Sequence, residues 1–292
     1  MVAHAQAELR RACAQWGLPA RSELLSVGDS GCTFVLTYRP YVMRVTLDRD
    51  GSGERALIAH KLSHWLCENN FAALPPLEDA YASEKSCVTT SRHLPDAVNP
   101  PVGFRQGELL AAFHGLAGSF PNAETLPSLN VADMISDDIG NSHRTHRSRI
   151  GGARDVLSRL LNEGVPPSSL GETVLHGGAA PKTFVRSANT DMLYGFHRVC
   201  RGPCEWDLAT MWVACRHSEH DNWTSFSAGY GYNLDTQRHF AAWVSLAMLT
   251  ALAPLVVYGP DHPCYLRAKV GLQWFNEIAR HPTVNEPPRF FW

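Results

Sequence analysis

The sequence predicts an α+β fold in two lobes. A small β-rich lobe spans residues 1–95 (one helix, an antiparallel sheet, a second helix), and a larger, mainly helical lobe spans residues 96–292. Three observations carry this. Short β-rich runs cluster near the N-terminus with turn-sized gaps between them. A proline-marked connector lies near 92–101. Beyond it, apolar residues recur at helical spacing almost everywhere except around 173–196.

Each element follows from its local pattern. Ala5, Leu9, Ala12 and Trp16 fall on one face of a helix over 5–17. "SELLSV", "CTFVLTY" and "YVMRVT" read as strands, joined through "GDSG" and "RPY" as hairpins. "GERALIAHKLSHWLCENN" is a helix with Leu57, Leu62, Trp65 and Leu66 on one side, and "KSCVTTSRHLP" is a strand that stops at Pro95. "VNPP" breaks the chain and "GFRQGELLAAFHGL" opens the helical region, followed by the amphipathic "RDVLSRLLNEGV". Helical periodicity then runs over 206–281, interrupted at "GYGYNLD" and "YGPDHP", and the aromatic "PPRFFW" at the C-terminus is expected to pack on the body.

Composition limits the function classes. With 45% hydrophobic and 18% charged residues, the chain of 292 has ample material for a core and is not disordered in composition. A formal charge of -2 gives no reason to expect nucleic acid or an anionic membrane as partner. The apolar run "FAAWVSLAMLTALAPLVVYG" is of transmembrane length, but its proline, serine and threonine and its polar flanks predict a buried helix. The eight scattered cysteines and an N-terminal helix with no signal-peptide core lead to the expectation of reduced thiols in a cytoplasmic protein. Cys200, Cys204, Cys215, His217 and His220 lie near one another but lack the paired spacing of structural zinc sites, so no metal is expected there.

Function is sought in "VLHGGAAPKTF", residues 174–184. A strand runs into a loop of small residues and resumes as "FVRSANTDMLYGF". Together with "VGDSGCTFVL", "VMRV", "GELLAAFHGL" and "GPCEWDLA", this stretch resembles the aminoglycoside phosphotransferase and choline-kinase-like family, which has a protein-kinase-like fold. The resemblance covers nearly the whole chain. It implies a nucleotide loop at Ser30 and Gly31, a phosphate-contacting base at Arg44 and a helix opening near Glu54 to pair with it. It places residues 174–197 as the catalytic loop and its following strand, and Glu205, Trp206 and Asp207 in the family's "GPxExDL" motif.

The departures from the family decide the reading. His176 and Gly177 hold their places, but Gly178 stands at the catalytic aspartate, Thr183 at the asparagine and Gly195 at the metal-binding aspartate. Phosphoryl transfer relies on carboxylate-held Mg²⁺ and an acid that orients the acceptor hydroxyl, and glycine supplies neither. A general base alone is worth roughly 10²–10⁴ in rate. The chain is therefore expected to be a degenerate member with a vestigial nucleotide site, no cofactor and no metal. It is expected to bind a small molecule between the lobes, with a protein partner if it is non-catalytic.

His197, Lys182 and His176 are the candidates for acid/base or anion-binding roles, Glu205, Trp206, Asp207 and Asp138 for ligand contact. Thr183 offers at most a weak metal contact. The "DMISDD" run containing Asp138 is offset at once by "HRTHRSR", so a polycationic ligand is not specially indicated. The expected role is a repurposed enzyme of specialised metabolism, such as antibiotic biosynthesis, using metal-free cyclisation, isomerisation or elimination. The alternatives are a non-catalytic pseudokinase serving as sensor or accessory subunit, and an active phosphotransferase with metal ligands relocated to Asp191 or Glu205.

Overall fold

The computed structural model describes residues 1–28, 31–39, 41–47, 51–131, 167–215, 222–233 and 240–251. The helix expected in "RDVLSRLLNEGV" and the packing expected of "PPRFFW" lie outside them, as does much of 206–281. The chain divides into two compact units: Met1–Pro127 with Thr173–Gly202 and His220–Tyr232, and Ser128–Glu172 with Pro203–Glu219 and Asn233–Trp292.

The first unit begins with α1 (Val2–Gln15), β1 (Ser22–Gly28), β2 (Gly31–Leu36) and β3 (Tyr41–Leu47). It continues through α2 (Ser52–Glu68), β4 (Tyr81–Ser83) and β5 (Ser86–Arg92). The five strands form one sheet in the order β1-β2-β3-β5-β4, antiparallel at every pairing. The expected hairpins are present. Alternation sorts the sheet's residues: Cys32, Phe34 and Leu36 of β2 and Met43, Val45 and Leu47 of β3 point into a core shared with Ala5, Leu9, Ala12 and Cys13 of α1. Each such large apolar side chain contributes about 1.5–3 kcal/mol on burial. Arg44, between Met43 and Val45, therefore faces away from α1, flanked in register by Thr33 and Thr89.

Sequence periodicity did not signal one member of the α1 face. Glu8 is fully buried, held by Arg11 and by the hydroxyls of Ser83 and Ser86, the latter at 3.2 and 2.9 Å. Burial raises its pKa, but the hydroxyl hydrogen bonds and the Arg11 charge outweigh that and leave it lowered.

After the connector comes α3 (Phe104–Ala117), then β6 (Glu172–Leu175), which pairs with β9 (Cys200–Pro203). Where the sequence suggests one resumed strand after the small-residue loop, the chain instead makes a hairpin of β7 (Phe184–Ser187) and β8 (Thr190–Leu193). Its turn residues, Ala188 and Asn189, both have positive φ (46° and 67°), which suits a two-residue hairpin. Alanine at the first of these carries no turn signal in sequence. Two connector segments stitch this hairpin down. Val98 and Arg186 exchange backbone hydrogen bonds of 3.1 and 2.8 Å, and Leu193 bonds to Ala72 and Leu74 at 2.9 and 3.2 Å.

Later come α4 (Glu205–Cys215), α5 (Trp223–Tyr230) and α6 (Phe240–Ala251). In the first unit, α5 caps α3: Ser225 Oγ accepts from Phe104 N at 3.1 Å, and the Tyr230 hydroxyl lies 2.8 Å from His114 Nδ1. In the second unit α4 packs on α6, whose Phe240, Trp243, Val244, Leu246, Ala247 and Met248 are buried. Among the described residues no helix is long and apolar enough to cross a membrane.

Candidate functional site

The loop after β6 is held by backbone-directed bonds. Buried His176 donates its Nε2–H to the Tyr194 carbonyl at 2.9 Å, and its ring centroid lies 5.3 Å from that of Phe196. Gly177 has φ +78°, and a Cβ on it would stand 1.9 Å from the Arg198 carbonyl oxygen. Only glycine lets this loop lie so close on the 196–198 turn. Pro181–Thr183 form a 3-10 turn in which buried Thr183 Oγ1 donates to the Ala180 carbonyl (2.7 Å) and accepts from Ala180 N (3.2 Å). The hydrogen and one lone pair of that hydroxyl are thus taken up within its own turn. Tyr194 N donates to the Thr183 carbonyl at 3.0 Å, so loop and hairpin are strapped together.

Basic side chains from the 196–198 turn border both glycines at which the family resemblance implies carboxylates. The position of a Cβ on Gly178 is 3.2 Å from Arg198 Cδ, and that on Gly195 is 4.0 Å from His197 Nδ1. Arg44 approaches from β3. It is half-buried, and burial pulls its pKa down, though a guanidinium remains a cation at neutral pH.

Protein crowding pushes the His197 pKa down to about 3, and Arg44, Arg198 and His176 push in the same direction, while a backbone hydrogen bond at Gly195 opposes them. Every charged neighbour acting on His197 is a base. The ring is nonetheless exposed, and solvent screens that shift, so its direction is what matters: His197 is neutral at pH 7.

A hard divalent cation needs several oxygen ligands, carboxylates above all. Among the described residues no cluster of three or more His, Cys, Asp or Glu is placed to hold a metal. Asp191 is taken by Arg186, whose Nε and Nη2 lie at 2.5 and 2.8 Å from its two oxygens, and by Gln106 Nε2 at 2.8 Å. Glu205, buried in the second unit, accepts from Ser168 Oγ, Ser169 N, Ser169 Oγ and Leu170 N at 2.6–3.0 Å. The residues present do not fit Mg²⁺ held in the way the family resemblance implies.

Of the other residues singled out in sequence, Lys182 is exposed, and its carbonyl accepts from Asn99 Nδ2 at 3.3 Å. Glu54 sits exposed in the first turn of α2 and makes no ion pair with Arg44, contrary to the expected pairing. Gly31 opens β2 opposite Thr46. Trp206 and Asp207 are fully buried in α4. Ser30 and Asp138 lie outside the described residues, as do His217 and His220.

Sequence reasoning missed Arg198, although it adjoins His197 in "FHR", because a single exposed base carries no signal of which residue it borders. It also missed Asn99 and Gln106. Asn99 Nδ2 reaches the Phe184 carbonyl at 2.8 Å and its side chain bonds Tyr194, while Gln106 Oε1 accepts from Gly103 N at 3.0 Å. Their bonds to Phe184, Tyr194 and Asp191 carry no local signal, since those partners are distant in the chain.

No family model matches the chain, and no curated protein matches it in sequence. Solved structures match it along their whole length. An amicoumacin kinase in complex with AMP-PNP, Ca2+ and Ami is 9% identical with a TM-score of 0.69, covering 98% of this chain and 97% of that one. A choline kinase from Streptococcus pneumoniae is 14% identical with a TM-score of 0.58, covering 92% and 99%. An aminoglycoside phosphotransferase from Streptomyces rimosus is 15% identical with a TM-score of 0.54, covering 84% and 97%. This chain therefore has the kinase-like fold of the aminoglycoside phosphotransferases and choline kinases.

Proposed function

We propose that this chain is a kinase-fold protein that does not carry out Mg²⁺-dependent phosphotransfer and binds a small molecule, without metal, at the surface formed by Arg44, Gly178, Gly195, His197 and Arg198. The observation that carries the reading is that both carboxylate positions of the kinase site are glycines bordered by basic side chains, at 3.2 Å for Arg198 and 4.0 Å for His197. A site of that charge repels the metal that phosphotransfer uses and attracts the groups the metal would have met.

The lowered pKa of His197 refines its role. A general base works best with a pKa near the working pH, and His197 lies below it. A neutral imidazole that accepts or donates a hydrogen bond to a ligand fits better than a proton shuttle. Buried His176, tied to the Tyr194 carbonyl, supports the loop. Lys182 is exposed beside the same loop and remains a candidate contact. Phosphotransfer with relocated ligands is disfavoured because Asp191 already accepts three hydrogen bonds and Glu205 four.

The test is ADP release from ATP with excess Mg²⁺, using choline and aminoglycosides as acceptors because the structural neighbours act on such molecules by name. The expected result is no release above the buffer control. Acceptor-dependent ADP formation that follows enzyme concentration overturns the reading.

A further inference from the structure

β1 is an outer strand of the five-stranded sheet, so one side of its backbone has no strand partner among the described residues. Such an edge is a template for another strand, and folded proteins usually blunt it with lysine, proline or an inward-pointing charge. This one, "SELLSVG", has neither lysine nor proline and carries one charge, Glu23. Its surface is apolar. Leu24, Leu25 and Val27 are 43%, 52% and 54% exposed, three of the seven large hydrophobic side chains exposed among the described residues.

A β-bulge sets their direction. Leu24 stands opposite Phe34 and Val27 opposite Cys32, with the register shifting between Leu24 and Ser26. Directly opposed residues share a face, and Phe34 and Cys32 point into the core under α1. In a regular strand two residues three apart point to opposite faces, so the bulge is what brings Leu24 and Val27 to one face. The core under α1 takes residues from β2, β3 and β5 and none from β1. The two side chains therefore extend that apolar face beyond the reach of α1 and into solvent.

We propose that β1 pairs antiparallel with β1 of a second copy of this chain, joining two five-stranded sheets edge to edge about a two-fold axis. The strand is complementary to itself in one register. Leu24 of each copy then meets Val27 of the other on the α1 face, and Glu23 meets Gly28 instead of its own like charge. A slip of one residue sets Val27 against Glu23 or Leu24 against Gly28, and the apolar pairs are lost. A contact of one strand from each side is small beside an obligate interface, so the dimer is reversible and concentration-dependent. The pairing stands or falls independently of what binds beside Gly178 and Gly195.

Sedimentation velocity of the full chain across the micromolar range, with reducing agent present, tests it. A reversible monomer–dimer equilibrium is expected. Val27→Lys, at an exposed side chain, sets an ammonium against Leu24 of the other copy twice per dimer. It should weaken association about a hundredfold, about tenfold at each contact. Mixing Leu24→Cys with Val27→Cys chains under oxidation should give a disulfide-linked dimer, while Glu23→Cys with Val27→Cys should not, which reads the register against oxidised wild type. If Val27→Lys fails to fold, the cysteine pairs decide alone. A chain that stays monomeric throughout overturns the proposal and leaves this edge to the strand of a different protein. A dimer untouched by Val27→Lys, or one cross-linked through Glu23→Cys and not through Leu24→Cys, overturns it as well.

Discussion

Gly177 and Gly178 are neighbours of identical chemistry in "HGGAAP", yet the structure gives them opposite sensitivities to a single methyl group. At Gly177 an added Cβ stands 1.9 Å from the Arg198 carbonyl oxygen and 2.7 Å from its carbon, where ordinary contact begins at 3.4 Å. Two stretches of backbone would have to part by about 1.5 Å, and neither is a flexible side-chain end. Overpacking of this kind costs about 1–3 kcal/mol, and an L-residue at φ +78° adds about 1–2 kcal/mol. Gly177→Ala should therefore lose about 2–5 kcal/mol, a Tm drop on the order of 10 °C for a chain of this size.

At Gly178 the nearest atom to an added Cβ is Arg198 Cδ at 3.2 Å, part of an exposed and movable side chain, and φ is not in the left-handed region. Gly178→Ala should stay within about 0.5 kcal/mol of wild type, because restricting the unfolded chain offsets a slight crowding. Urea unfolding of both variants, with scanning calorimetry alongside, measures the difference. Equal stability of the two variants, or a larger loss at 178 than at 177, refutes the packing of loop on turn from which the site is built.

Three further outcomes follow from the same geometry. Gly178→Asp should bring a carboxylate to Arg198 without creating ATP turnover, because Thr183 and Gly195 still offer no metal ligand, and acceptor-dependent ADP release by this variant would contradict that. Asp191→Asn should cost about 1 kcal/mol in urea unfolding, since Arg186 is partly solvated while the Gln106 bond is less so; loss of a measurable ATP turnover at unchanged stability would make Asp191 a metal ligand instead. Glu8 has a lowered pKa in the folded state, so its ionised form stabilises above the unfolded value of 4.5, and that contribution fades as pH falls below it. The stability gap between wild type and Glu8→Gln should then be constant near neutrality and shrink below pH 4.5, and a gap that grows on acidification contradicts the network drawn around this carboxylate.

The parts of this fold that were legible in sequence are those decided by local periodicity. Alternation in "CTFVLTY" and "YVMRVT" specified the central strands and also which face Arg44 takes, because the face is fixed once Met43 and Val45 are inward. The helical stripe of α1 was equally plain, but the acid within it was not: Glu8 is buried through Ser83 and Ser86, more than seventy positions away. The β7–β8 hairpin was illegible for a different reason. Its turn sets Ala188 at φ 46° before Asn189, a weak turn signal, and the flanking strands are fixed by backbone bonds of Arg186 to Val98 and of Leu193 to Ala72 and Leu74. The same holds for Asn99 and Gln106, whose side chains bond groups far along the chain.

At the site itself, the sequence declared the loss of three residues but not what lies over their positions. Loss alone would leave a neutral surface, able to accept a metal held by the ligand. The geometry argues for something stronger. The loop is steadied by the His176–Tyr194 bond and the Gly177–Arg198 approach, while Arg198 brings positive charge to Gly178 and a neutral His197 borders Gly195. An acid restored at 178 alone would stand beside the Arg198 side chain, a cation that opposes a divalent ion. A return to phosphotransfer would require acids at 178 and 195 together with removal of both 196–198 bases. An acid placed at 195 would itself be strained at φ +87°. The fold is thus that of the aminoglycoside phosphotransferases and choline kinases, while Gly178 and Gly195 themselves offer no carboxylate.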